Sequence, residues 1–186
     1  ALLDEGLDAS IGAPEYVLVG GENIDRRLWN RLAELSNIVF YNLYGPTEAT
    51  VDSTVARIVG ESPSIGEPLE HVEAYVLDAQ GQLAQEGECG ELYVGGEGVA
   101  RGYAGAPRLT AARFCPSPFG GAPGARLYRT GDCVRWQPGR RLEYVGRLDR
   151  QVKVRGHRVE PSEVETLCAS SPGVNAAAVV SRWDER

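Results

Sequence analysis

One stretch of nine residues, Asn42–Thr50, reading NLYGPTEAT, limits this chain more than any other. It follows a short apolar run, Ile38–Tyr41, that predicts a buried strand ending at Tyr41. Gly45-Pro46 then forces a sharp turn. The turn gathers a phenol, a hydroxyl and a carboxylate: Tyr44, Thr47 and Glu48. An aromatic face, a hydroxyl donor and a metal-seeking acid at a strand end suit a nucleotide with its Mg²⁺. The same residues also describe a plain strand-terminating turn with a polar tip, so both readings stand at this point.

The surrounding pattern predicts an α/β beginning and a β continuation. Residues 1–9 read as the tail of a helix. Tyr16–Val19 reads as a strand closed by Gly20-Gly21. Asn23 is placed to cap a helix running to about Leu35, with Ile24, Leu28, Leu32 and Leu35 on its buried face. Strand, helix and strand with short links form a βαβ unit, so the two strands are expected to be parallel. Ligands in such sheets sit at the carboxyl ends of strands, where Gly20-Gly21 and Asn42–Glu48 both fall.

After Thr50 helical spacing stops. Runs at 72–77, 90–94, 127–136 and 142–145 alternate or are continuously apolar, with turns between them. They predict a small antiparallel sheet or distorted barrel. Pro107–Phe114 reads as a short helix with Leu109 and Phe114 turned inward. Beyond Asp149, a strand at 151–155, a helix at 161–169 and a strand at 175–181 open a second α+β unit. The expected organisation is therefore 1–50 as part of a large α/β core, 51–148 as a barrel-like unit, and 149–186 as a hinge and the start of a small α+β subdomain.

Charge is unevenly spread. Residues 1–100 carry 18 acids and 4 bases, 101–158 carry 3 and 13, and 159–186 carry 5 and 2. The basic block is interleaved with glycine and apolar strand residues and lacks the aromatic-basic module of single-strand binders. A small phosphate-bearing ligand is the better expectation, and no nucleic acid is expected as a partner. No apolar run reaches the roughly 20 residues of a membrane-spanning helix, and no leader is visible, so no membrane partner is expected either. Cys89, Cys115, Cys133 and Cys168 show no metal-ligand spacing and read as reduced thiols of a cytoplasmic protein. The chain contains no Met, which suggests an internal segment.

Four motifs follow in order: NLYGPTEAT, GELYVGGEGVARGY, YRTGD and GRLDRQVKVRGHRVE. Each alone is weak. Together, over nearly the whole chain, they resemble the adenylate-forming superfamily, and within it the amino-acid adenylation domains of nonribosomal peptide synthetases. The resemblance implies an enzyme that joins an amino-acid carboxylate to ATP, releases pyrophosphate and passes the aminoacyl group to a phosphopantetheine thiol on a carrier protein. It implies ATP and Mg²⁺ as cofactors.

Roles carry over residue by residue. The match to Tyr44 stacks on adenine, Thr47 contacts the adenylate phosphate, and Glu48 holds Mg²⁺. Asp132 of YRTGD grips the ribose hydroxyls, and Arg147 lies near ribose and phosphate. Gly21, Glu22, Asn42 and Gly45 complete the nucleotide side. Asp149 matches a hinge, and Lys153 lies on the strand that swings in for thioester formation. Gly95, Gly96, Gly98 and Gly102 would permit the tight backbone of the second motif. The substrate pocket is expected along Val17, Val19, Leu43, Val51 and Asp52. An acid at 52 suggests a polar or basic substrate side chain, because a buried carboxylate needs a partner. Leu109–Phe114 resembles the docking segment for MbtH-like helper proteins.

Some family parts are not in the chain. The glycine-rich phosphate loop and the amino-binding aspartate are expected before residue 1, and the adenylation lysine after residue 186. Cys133 stands where the family usually has Leu. The isolated 186 residues are thus expected not to adenylate. Two alternatives remain at this level: an acyl-CoA ligase-like relative, and a non-catalytic module that binds a helper or carrier protein.

Overall fold

The structure is a computed structural model, and residues 12, 14–154 and 156–182 are described. It is mixed α/β, with several sheets and few helices. It divides into two compact units, 1–146 and 147–186. The helix expected at residues 1–9 lies outside the described residues.

Strand β1 (Tyr16–Gly20), helix α1 (Arg26–Ala33) and strand β2 (Val39–Tyr44) form the expected βαβ unit. β1 and β2 pair in parallel, with Val19 opposite Asn42 and Gly20 opposite Leu43. Two details differ from the sequence reading. The helix cap is Asp25, not Asn23: its Oδ1 accepts from Leu28 N at 2.7 Å, satisfying a donor that the first turn leaves open. The buried face also shifts. Leu28 is 39% exposed, while Trp29 is wholly buried and donates its indole N–H to Val59 O. Starting the helix two residues later rotates Trp29 into the core, where it meets Ile24, Leu32, Ile38, Phe40, Ala56 and Ile58.

β2 also runs on through Asn42, Leu43 and Tyr44, past the expected end at Tyr41. It does so because β3 (Thr54–Arg57) pairs antiparallel along it, with Tyr44 opposite Thr54. β4 (Glu67–Pro68) completes a four-stranded sheet in the order β1-β2-β3-β4. Neither β3 nor β4 was expected from the sequence, since both are short and β3 carries a polar start.

A second sheet has the order β5-β6-β8-β7, with β9 on β8. Its strands are β5 (Val72–Leu77), β6 (Cys89–Gly96), β7 (Phe114–Pro116), β8 (Arg126–Gln137) and β9 (Arg141–Arg147). The sheets meet at Leu142, whose N–H donates to Gly66 O and whose carbonyl accepts from Ile65 N, both at 2.8 Å. Their shared core holds Tyr44, Ala49, Ile65, Val76, Leu92, Val94, Val134 and Leu142. α2 (Pro107–Arg113) precedes β7. Phe114 is buried as expected, but Leu109 is 48% exposed. With only seven residues, α2 lays one shallow face on the sheet.

Glu143 on β9 accepts from Arg135 Nε and Nη2 on β8, at 2.5 and 3.0 Å, and from Gln137 Nε2 at 2.9 Å. The Arg135 hydrogen bonds outweigh burial and hold this carboxyl below its ordinary value. A depressed folded pKa gives stability that is complete above the unfolded carboxylate pKa and fades as pH falls through the folded one. Arg135→Leu is therefore expected to lower the urea midpoint at pH 7 and to matter less at pH 3. Equal losses at both would contradict this account.

In the second unit, β10 (Val152–Val154) and β11 (His157–Val159) form an antiparallel pair, followed by α3 (Pro161–Ala169). Residues 175–181 form no strand. Val179 instead donates its N–H to Glu165, and its carbonyl accepts from Arg150. Side chains thus take the backbone groups that a neighbouring strand would need.

Candidate active site

β2 and β3 are joined by a loop, Gly45–Ser53, that folds back on the strand end: Ser53 N donates to Tyr44 O at 2.8 Å. A Cβ at Gly45 would lie 2.0 Å from Val51 O and 2.7 Å from Ser53 N, so only glycine fits there. A one-turn 3-10 helix, Thr47–Ala49, follows Pro46. Thr50 and Val51 then take φ of 59° and 70°. Such angles are rare for β-branched residues, and strain of this kind concentrates at functional sites. Thr50 Oγ1 anchors the loop by donating to Gly98 O at 2.6 Å.

Two phenol–carboxylate pairs are built on this loop. Tyr44, buried at the end of β2, donates its O–H to Asp132 Oδ2 on β8 at 2.5 Å. Tyr103, after β6, donates its O–H to the buried Glu48 Oε1 at 2.5 Å. Three of the four motifs thereby converge on the loop at the carboxyl end of β2. Burial, the hydrogen bond to Glu48 and the neighbouring Tyr128 push the Tyr103 phenol well above its ordinary value, so it stays a donor.

Asp132 is aimed by a bulge. Glu91 pairs with Cys133 and Tyr93 with Arg129, so Thr130, Gly131 and Asp132 face Leu92 alone. Thr130 Oγ1 donates to Leu92 O and accepts from Asp132 N, at 2.7 and 3.0 Å. The buried Glu91 takes Gly131 N at 3.0 Å and Arg129 Nε at 2.8 Å. Glu91 and Tyr103 had no role in the sequence reading. An acid in a strand reads as solvated, and only the register shows that this one closes a bulge.

Other expected residues fall as follows. Gly21 and Glu22 are exposed just past the residue paired with Leu43, and Gly21 has φ 91°. Asn42 is buried and donates to Ser64 O at 2.8 Å, so its amide ties β2 to the 58–66 connection. Thr47 is exposed at the loop tip. Of the four glycines expected to use positive φ, Gly96 and Gly102 do, while Gly95 and Gly98 do not. Val17 and Val19 pack on the α1 side of the sheet. Side chains alternate along a strand, so Leu43 lies on the opposite face, level with Leu18 and Gly20. The structure thus separates Val17 and Val19 from Leu43. Val51 and Asp52 are exposed.

In the second unit, Arg147 grips Asp149 with both arms of its guanidinium, at 2.9 and 2.7 Å. Lys153 is exposed on β10, opposite Arg158.

Glu48 is the expected metal carboxylate, and no cluster of three or more His, Cys, Asp or Glu occurs among the described residues. A single buried carboxylate fits Mg²⁺, which takes one or two carboxylates together with substrate phosphates and water.

The AMP-binding enzyme family matches residues 2–104. The chain is 44% identical to the AMB antimetabolite synthetase AmbE of Pseudomonas aeruginosa, over 97% of this chain and 8% of that protein. It is 43% identical to vanchrobactin synthetase VabF of Vibrio anguillarum, over 97% of this chain and 6% of that protein. Among solved structures it matches PA1221, an NRPS protein containing adenylation and PCP domains. There the TM-score is 0.85 at 30% identity, over 98% of this chain and 38% of that one. The chain thus spans well under half of each of these proteins. By its motif loop, its bulge, its fold and these matches, this chain belongs to the AMP-binding enzyme family, among the adenylation domains of nonribosomal peptide synthetases.

Proposed function

We propose that this chain supplies the nucleoside side of an adenylation site that activates an amino acid with ATP and hands it to a carrier-protein thiol. The observation that carries this is the Tyr44–Asp132 hydrogen bond, which joins two motif stretches 88 residues apart. In this reading Asp132 accepts from the ribose hydroxyls, Tyr44 lies against the base, and Thr47 at the exposed loop tip faces the phosphate. Glu48 would hold Mg²⁺, whose contribution is neutralisation of phosphate charge. Arg147 would lie near ribose and phosphate, with Gly21, Glu22 and Gly45 shaping the approach. Asn42 acts through Ser64.

The finer architecture follows the same reading: 1–50 as part of a large α/β core, 51–148 as a small barrel, and 149–186 as a hinge and the start of a mobile subdomain. Asp149 would be the hinge, held by Arg147, with Lys153 serving thioester formation. Carrier-bound phosphopantetheine is the second acceptor, by analogy with adenylation–PCP proteins such as PA1221. The exposed Leu109, Ala111 and Ala112 on α2 suit a small helper protein of the MbtH type. Four free thiols accord with a cytoplasmic setting. Among the described residues no helix is long and apolar enough to cross a membrane.

For the substrate wall we favour Leu18, Gly20 and Leu43, which share a face, together with the exposed Val51 and Asp52. Asp52 would then meet a polar or basic side chain. In the full-length protein, ATP–pyrophosphate exchange is expected to depend on an added amino acid of that kind, such as Gln, Glu, Orn, Lys or Arg. Exchange driven best by aliphatic amino acids would remove Asp52 from the pocket, and exchange independent of any amino acid would remove the adenylation reading itself. The isolated 186 residues are expected to show none.

A further inference from the structure

We infer that Tyr103 is a positioning residue for Glu48, fixing the carboxylate that receives the cation. This rests on the reading of Glu48 as the Mg²⁺ carboxylate. The phenol donates to Oε1 at 2.5 Å, and both groups are held by more than each other.

Tyr103 is fixed at three points. Its ring packs edge-on against Phe114, with centroids 5.5 Å apart. Its backbone N–H donates to Thr110 Oγ1 on α2 at 2.9 Å, and that hydroxyl also bonds Ala106 O at 3.0 Å. Gly102, with φ 139°, lets the chain pass so close that a Cβ would lie 2.4 Å from Thr110 Cγ2. Glu48 is fixed from its own side: its carbonyl accepts from Ala100 N at 2.8 Å, so the 97–103 loop binds it through backbone and side chain alike. A long acidic side chain has several rotamers, and a donor on one oxygen selects one of them before any ligand arrives. A hydrogen bond to a carboxylate is also among the stronger ones.

The test uses the full-length protein and Mn²⁺ as the probe, read by water-proton relaxation enhancement in the presence of ATP. ATP affinity in EDTA is measured alongside. Tyr103→Phe keeps the ring and its packing but removes the donor. It is expected to raise half-saturating Mn²⁺ on the order of tenfold, as loss of one charge-assisted hydrogen bond would, while metal-free ATP affinity stays within twofold. Glu48→Gln is expected to weaken Mn²⁺ binding further. If Tyr103→Phe leaves Mn²⁺ binding unchanged while Glu48→Gln weakens it, the positioning role is wrong and the Glu48 reading survives. If Tyr103→Phe weakens metal-free ATP binding as much as Mn²⁺ binding, Tyr103 is only structural. If Glu48→Gln leaves Mn²⁺ binding unchanged, the metal reading falls, and the inference with it.

Discussion

Gly45→Ala is expected to destabilise the protein by about 3 kcal/mol and to abolish the adenylation proposed for the full-length protein. A Cβ there would overlap Val51 O at 2.0 Å, and the nearby atoms are backbone, which cannot rotate away. Relief requires the Gly45–Ser53 loop to open, breaking the Ser53 N to Tyr44 O bond and releasing Thr50 and Val51 from their strained angles. The loop carries Thr47 and Glu48, so stability and activity should fall together. Gly21→Ala is the control: it has φ 91° but nothing within 4 Å. That change costs only its backbone angle, roughly 1 kcal/mol. Urea midpoints for the two variants would separate steric closure from conformational cost. Similar midpoints would mean that the loop is looser than its contacts imply.

Asp132→Ala should lower apparent ATP affinity in the full-length protein on the order of a hundredfold, through loss of the acceptor proposed for two ribose hydroxyls. It also leaves the buried Tyr44 hydroxyl without its Asp132 partner. Asp132→Asn divides these effects. The amide oxygen can still accept from Tyr44, so stability should recover most of the loss. The amide nitrogen cannot accept from ribose, so affinity should remain low. Full recovery of ATP affinity by the asparagine variant would mean that Asp132 serves the fold and not the nucleotide.

Much of this was legible in the sequence because it depends on local pattern. The βαβ unit follows from apolar runs and helical spacing, and its parallel pairing from the short crossover. The strands β5, β6, β8 and β9 follow from alternation and from turns such as Pro138-Gly139. What was not legible depends on register or on distant partners. Val17 and Val19 differ from Leu18 and Gly20 only by one step of strand alternation, and pairing with β2 decides which face each takes. Trp29 or Leu28 as the buried residue depends on where Asp25 starts the helix. β3 and β4 are too short to have their own pattern and exist through pairing, β3 with β2 and β4 with β3. Tyr103 reaches Glu48 across 55 residues, a contact that no local periodicity encodes. The motif order pointed to Tyr44 and Asp132 separately, and the fold brings them together.

The most direct measurement is a crystal structure of the full-length protein with a non-hydrolysable aminoacyl-adenylate analogue. The account expects the adenine against Tyr44, both ribose hydroxyls within hydrogen-bond distance of Asp132, and the phosphate mimic beside Thr47. Density for the nucleoside elsewhere, with the Asn42–Thr50 loop and Asp132 untouched, would contradict it.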